Sequence, residues 1–103
     1  MNKPPYDPEG LRIGIVQCEH NIVAMEATID ADEKKKVDIM EEGLGETSTP
    51  ESRSKVRKII AECDSNIGVM KVAIEEEKKT KIEYAQWITE HEIYQASLDE
   101  RNK

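Results

Sequence analysis

Residues 11–42 and 56–87 are one segment written twice, 45 positions apart. At that offset Arg12, Ile15, Cys18, Asn21, Ile22, Met25, Ile29, Lys34 and Lys36 meet the identical Arg57, Ile60, Cys63, Asn66, Ile67, Met70, Ile74, Lys79 and Lys81. The exchanges between the copies are mild: Leu11/Val56, Glu19/Asp64, Asp30/Glu75, Asp32/Glu77 and Val37/Ile82. A repeat unit with one apolar stripe cannot bury that stripe alone, so the copies must pair with each other or with those of another chain.

The stripe has a helical period. Leu11, Ile15, Cys18, Ile22, Met25 and Ile29 follow 4-3-4-3-4 spacing, and so do Val56, Ile60, Cys63, Ile67, Met70 and Ile74. That is the a/d seam of a coiled coil, nearly three heptads long in each copy. Start and stop signals bracket both segments. Asp7-Pro8-Glu9 and Thr49-Pro50-Glu51 each offer an N-cap, a proline at the first helical position and an acid in the first turn. Gly43-Leu44-Gly45 supplies a stop, with glycine where a helix C-terminus favours positive φ. The expected fold is all-α: an antiparallel two-helix hairpin made by tandem duplication, associating into a four-helix bundle or coiled-coil oligomer. One helical domain, 1–103, would comprise an extended lead 1–7, helix 8–42, loop 43–49, helix 50–98 and a polar tail 99–103.

Beyond Ile29 and Ile74 the seam turns polar. Asp30/Lys34, Asp32/Lys36, Glu75/Lys79 and Glu77/Lys81 are i,i+4 pairs with the acid first, the orientation that supports a helix. If the heptad phase holds, Asp32, Lys36, Glu77 and Lys81 form a charged layer in the seam. If it shifts by one residue, Val37, Met40 and Ile82 resume the seam. The cost of burying imperfectly paired charges favours the shift. A hairpin closed at 43–49 pairs residues whose numbers sum to about 92, which sets Cys18 near position 74 and Cys63 near position 29. The thiols would then lie about 16 Å apart along the axis, too far for a disulfide within the chain.

Composition narrows the function classes. Hydrophobic residues make up 37% of 103 and charged residues 36%, with no Phe, so the reachable core is thin and oligomerisation is the usual remedy. A net charge of −7 opposes binding to nucleic acid or anionic membrane and suits a basic face on a protein partner. The start Met-Asn-Lys-Pro-Pro-Tyr lacks the apolar region of a signal peptide, and no apolar run approaches the ~20 residues of a spanning helix. Two cysteines at equivalent repeat positions do not make a disulfide framework. A cytoplasmic chain is expected.

Catalytic motifs fail in turn. Gly43-Leu-Gly-Glu-Thr-Ser-Thr lacks the lysine and the preceding strand of a phosphate loop, and there is no nucleophile elbow. Cys18-Glu19-His20 does not converge on a helix, and the Glu-x-x-His of bundle metal sites is absent, since Gln17 and Ile88 stand three residues before His20 and His91. No enzyme activity, metal or cofactor is expected. Two patches invite binding instead. Tyr84, Trp87, Ile88, His91 and Tyr94 form an aromatic stripe with no counterpart in the first copy. Aromatic side chains anchor interfaces, so this stripe is a candidate partner-binding face, with packing on Pro4, Pro5 and Tyr6 or a homo-oligomer core as the alternative. Arg53, Lys55, Arg57 and Lys58 open the second helix and form a candidate anion site, with plain solvated charge as the alternative. Asn21 and Asn66 flank the seam and either fix its register or lie on a wet edge.

The run Pro50-Glu-Ser-Arg53-Ser54-Lys-Val56-Arg-Lys-Ile-Ile60-Ala-Glu62 resembles the second-helix opening of the phage anti-CBASS nucleotide sponges. The likeness covers about a dozen residues, and the chain departs from that family's Trp-Ala-Asn-rich continuation. It implies an oligomeric hairpin that traps an anionic ligand such as a nucleotide. The residues themselves favour a non-enzymatic, acidic helical interaction protein, an adaptor or small inhibitor, that binds itself and a protein partner. A self-assembling scaffold component is the third alternative.

Overall fold

The computed structural model describes residues 3–43, 45 and 49–102. Positions 44 and 46–48 of the expected loop, and 1, 2 and 103, lie outside the described residues. The described chain holds two helices and no strand: α1 (Pro8–Gly43) and α2 (Pro50–Arg101).

Both start signals work as caps. Leu11 N–H donates to the Asp7 carbonyl at 3.0 Å, and Glu9 N–H donates to Asp7 Oδ1 at 3.3 Å. At α2, Ser52 N–H donates to Thr49 Oγ1 at 3.1 Å while Thr49 N–H donates to Ser52 Oγ at 2.9 Å. This is a reciprocal capping box in which serine does what glutamate does elsewhere.

The helix ends differ from expectation. α2 runs on to Arg101, so most of the supposed polar tail 99–103 is helix. Asp99-Glu100-Arg101 contains no breaker, Asn102 N–H bonds the Leu98 carbonyl at 3.1 Å, and Arg101 sits in the last turn where a cation complements the helix dipole. α1 ends at Gly43, one residue later than expected, and neither described loop glycine has positive φ. Gly43 is needed for close approach: a Cβ there would overlap the Val56 side chain.

The residues fall into two compact units. The terminal unit combines the stretch up to Ile22 with the stretch from Glu75 onward, and the turn unit is Val23–Ile74. In each, a piece of α1 lies antiparallel to a piece of α2. In the turn unit Lys36 pairs with Asp64 and Gly43 meets Val56. In the terminal unit Glu19 pairs with Lys81 and Gly14 meets Tyr84. Paired numbers therefore sum to about 99 in both units, not to about 92. One contact between the helices sets this: Val56 is the first large seam residue of α2 and seats on Gly43, so Pro50–Lys55 precede the paired region. Cys18 consequently faces Glu77 and Lys81 rather than position 74, and Cys63 faces Lys36 rather than position 29.

The heptad phase holds throughout the charged stretch, against the expected shift. Asp32 and Lys36 in the turn unit, and Glu77 and Lys81 in the terminal unit, are half-buried. Val37, Met40 and Ile82 are exposed. The anticipated cost is avoided because a two-helix layer never seals its seam: long lysine stems cover apolar surface while their ammonium groups reach water and a carboxylate. Lys36 keeps 20% of its side-chain surface exposed beside Asp64, and Lys81 keeps 41% beside Glu19.

The buried residues are few. Leu11 and Cys18 in the terminal unit, and Val56, Cys63, Ile67 and Ile74 in the turn unit, are buried, but no described side chain is sealed below 2% exposure. Both thiols are free. No helix among the described residues is long and apolar enough to cross a membrane.

Candidate interaction surfaces

The aromatic stripe belongs to the terminal unit. Tyr84, Trp87, Ile88, His91 and Tyr94 are all half-buried. The Trp87 indole stacks on Tyr6, with ring centres 4.1 Å apart and planes inclined by 14°. Tyr84 leans on Trp87 at 5.6 Å and 35°, and His91 meets Tyr94 edge-on at 6.4 Å. The lead therefore folds back over the stripe, as the packing alternative expects, and Lys3–Pro8 with His91 line a small cavity there. Gly14 makes this possible: a Cβ at Gly14 would stand 2.7 Å from Tyr84 Cε2. Tyr6 and Gly14 are the site residues that the stripe alone does not reveal. The signal for Gly14 lies in the repeat, where its counterpart is the bulky Ile59. A groove lined by Tyr6, Gly10, Gly14, Gln17, Glu83 and Trp87 remains open beside the stack.

The basic cluster is not gathered into a site. Arg53, Lys55, Arg57 and Lys58 are all exposed on the first two turns of α2. Arg53 and Arg57 share one side at i,i+4, and Lys55 and Lys58 share another at i,i+3. Asn21 and Asn66 are exposed, on the wet edge of the seam.

Cys18, Glu19 and His20 diverge. Cys18 is buried in the seam, Glu19 forms an ion pair with Lys81 Nζ at 3.2 Å, and His20 is exposed on the outer face. Burial, and then the Glu77 carboxylate, push the Cys18 thiol above its ordinary value, so it stays neutral and unreactive. In the turn unit the hydrogen bond to Asp64 raises the Lys36 ammonium, against the opposing pull of partial burial. Among the described residues no three His, Cys, Asp or Glu side chains converge as metal ligands do.

A feature missed from sequence is the apolar surface on the backs of the helices. With Ile15 and Ile60 labelled a, and Cys18 and Cys63 labelled d, the outermost positions are b and f. In the terminal unit Ile13, Val16, Ile82 and Ile93 occupy them, 49–59% exposed. In the turn unit Val23, Val37 and Val72 do the same, 52–64% exposed. An isolated two-stranded coiled coil places its solvating charges at these positions. The signal in the sequence is the set of apolar residues at b and f beside those at a and d.

Comparison with protein-family models, with curated proteins and with solved structures finds no match. The sponge resemblance therefore rests on its thirteen-residue run alone.

Proposed function

We propose that this chain is a non-enzymatic helical interaction protein that works as a homo-oligomer, most simply a four-helix bundle, and offers its acidic surface and the Trp87 face to a protein partner. One observation carries the self-association: large apolar side chains stand exposed at b and f positions in each unit, Ile13, Val16, Ile82 and Ile93 in the terminal unit and Val23, Val37 and Val72 in the turn unit. Soluble monomers rarely leave such side chains in rows.

The partner-binding part rests on the aromatic cluster. Trp87 is covered by a single tyrosine from the lead, and Tyr6 is itself 44% exposed. A protein partner would extend or replace that stack. Light scattering behind size exclusion, from about 5 to 200 µM, tests the oligomer; a monomer at every concentration ends this reading. Running Trp87→Ala in parallel separates the surfaces. Unchanged mass with lost partner capture fits a partner face, whereas a fall to monomer makes the aromatic stripe the assembly contact.

A further inference from the structure

The back of α1 in the terminal unit carries a patch whose pattern is complementary to itself. Glu9, Arg12, Ile13, Val16, Gln17 and His20 line one open groove. Ile13 and Val16 stand at its centre, 57% and 49% exposed. An acid lies at one end, an imidazole at the other, and a cation and an amide between them. We propose that this groove is the docking surface for a second copy of the chain, with the two α1 helices crossing antiparallel about a two-fold axis between Ile13 and Val16.

The geometry follows from elementary symmetry. In a two-fold antiparallel contact centred there, residues whose numbers sum to about 29 face each other. Ile13 then meets Val16 of the second copy and Val16 meets its Ile13, which closes the apolar centre. Glu9 meets His20 of the second copy at both ends, a carboxylate accepting from an imidazole N–H. Arg12 meets Gln17, so the guanidinium finds an amide oxygen while keeping its ion pair to Glu92 of its own chain, 3.8 Å away. A parallel contact would set Glu9 on Glu9, Arg12 on Arg12 and His20 on His20, like against like. Isologous contacts of this kind close into a dimer and leave no free copy of the patch.

This inference deepens the oligomer reading above and rests on it. It is tested by sedimentation equilibrium from about 5 to 500 µM on the full chain and on Ile13→Glu, Glu9→Lys, His20→Glu and the Glu9→Lys/His20→Glu pair. Helicity and Trp87 emission check folding, and the three substituted positions are all exposed on α1. Ile13→Glu counts twice in a two-fold contact and should raise the dissociation constant at least tenfold, roughly. Each single charge change should weaken association about threefold to tenfold, and the double change, which restores opposite charges in the same register, should recover most of it. A wild type that dimerises with Ile13→Glu unchanged overturns this surface but leaves the oligomer reading standing. A double variant no better than the worse single overturns the antiparallel register. A wild type that is monomeric throughout overturns both the surface and the oligomer reading.

Discussion

The terminal unit and the turn unit are made of the same two half-repeats, taken from opposite copies. The terminal unit uses 11–22 and 75–87, and the turn unit uses 23–42 and 56–74. Equivalent positions make equivalent pairs: Glu19 with Lys81 in one, Asp64 with Lys36 in the other, each beside a buried cysteine. Volume is where they part. The terminal unit sets Gly14 against Tyr84, while Ile59 and Ile39 stand at the matching positions of the turn unit. At the next layer the exchange reverses, with Gly43 against Val56 in the turn unit and Ile88 and Leu11 at the matching positions of the terminal unit. The two copies keep one register, while the size of each facing pair differs between the units: glycine against a larger residue in one unit stands where two large aliphatic residues stand in the other.

Matched truncations should separate the units most sharply. Ile67 is buried in the turn unit, and its repeat counterpart Ile22 is half-buried in the terminal unit. Ile67→Ala should cost about 2–4 kcal/mol and Ile22→Ala about 1–2 kcal/mol, because the cavity term needs a residue enclosed on all sides. Urea unfolding followed by helicity gives the totals. Trp87, the single tryptophan, reports the terminal unit alone. Alkylation of single-thiol variants adds a second local probe, Cys18 for the terminal unit and Cys63 for the turn unit. Ile22→Ala should speed alkylation of Cys18 more than of Cys63. Equal costs for the two truncations would mean that the units are enclosed alike.

The volume exchange can be tested by copying one unit into the other. Gly14→Ile alone crowds Tyr84 and should cost about 1–3 kcal/mol despite the better helix propensity of isoleucine. Tyr84→Ile alone leaves a hole beneath Trp87 and should shift its emission to the red. The pair Gly14→Ile/Tyr84→Ile recreates the turn unit's combination, so the double variant should recover most of the loss. A double variant whose cost is the simple sum of the singles would show that Gly14 and Tyr84 do not share a layer.

Much of this was legible in the sequence, for a physical reason. The 45-residue repeat, the 4-3 spacing and the two cap signals are local, and local signals survive whatever the chain packs against. They set the helices, the seam residues and the antiparallel pairing. The register is not legible, because it depends on one contact between distant residues, Val56 seating on Gly43. The charged layer departs from expectation because the full desolvation penalty belongs to a sealed core, whereas Lys36 and Lys81 reach water from the seam. The docking of Tyr6 over Trp87 is not legible either, since nothing in a Pro-Pro-Tyr lead states where it docks. The apolar b and f positions are present in the sequence, but the a/d stripe accounts for a helix without them.

Alkali should act unevenly on the two buried layers. Cys18 titrates above its ordinary value of 9.0, first because it is buried and then because of Glu77. A raised value means that the folded state holds the proton more tightly. That contribution to stability is complete below 9.0 and fades as pH climbs through the folded value. Lys36, raised above 10.5 chiefly by its bond to Asp64, follows the same sign in a higher window. Melts between pH 8 and 11 should therefore lose stability from about pH 9 upward in wild type. Cys18→Ala should remove the lower part of that loss. An unchanged alkaline profile in Cys18→Ala would mean that the thiol is not held neutral by its layer.

The finest distinction lies between the two equivalent ion pairs. Asp64→Asn and Glu19→Gln remove the same charge from the same repeat position, and both carboxylates are about half exposed, 56% and 50%. Their lysines differ: Lys36 is 20% exposed and Lys81 is 41% exposed. Surface pairs in water contribute little, because screening and side-chain entropy offset the attraction. A lysine drawn further into the seam loses more hydration and depends more on its carboxylate. Asp64→Asn should therefore lower the melting temperature measurably at pH 7, while Glu19→Gln should leave it within error. Raising salt should narrow the gap only slightly, since the difference comes from the drier lysine. If Glu19→Gln cost as much as Asp64→Asn, the two layers would be electrostatic equals. The distinction between the units would then reduce to volume alone, the Gly14/Tyr84 and Gly43/Val56 exchanges.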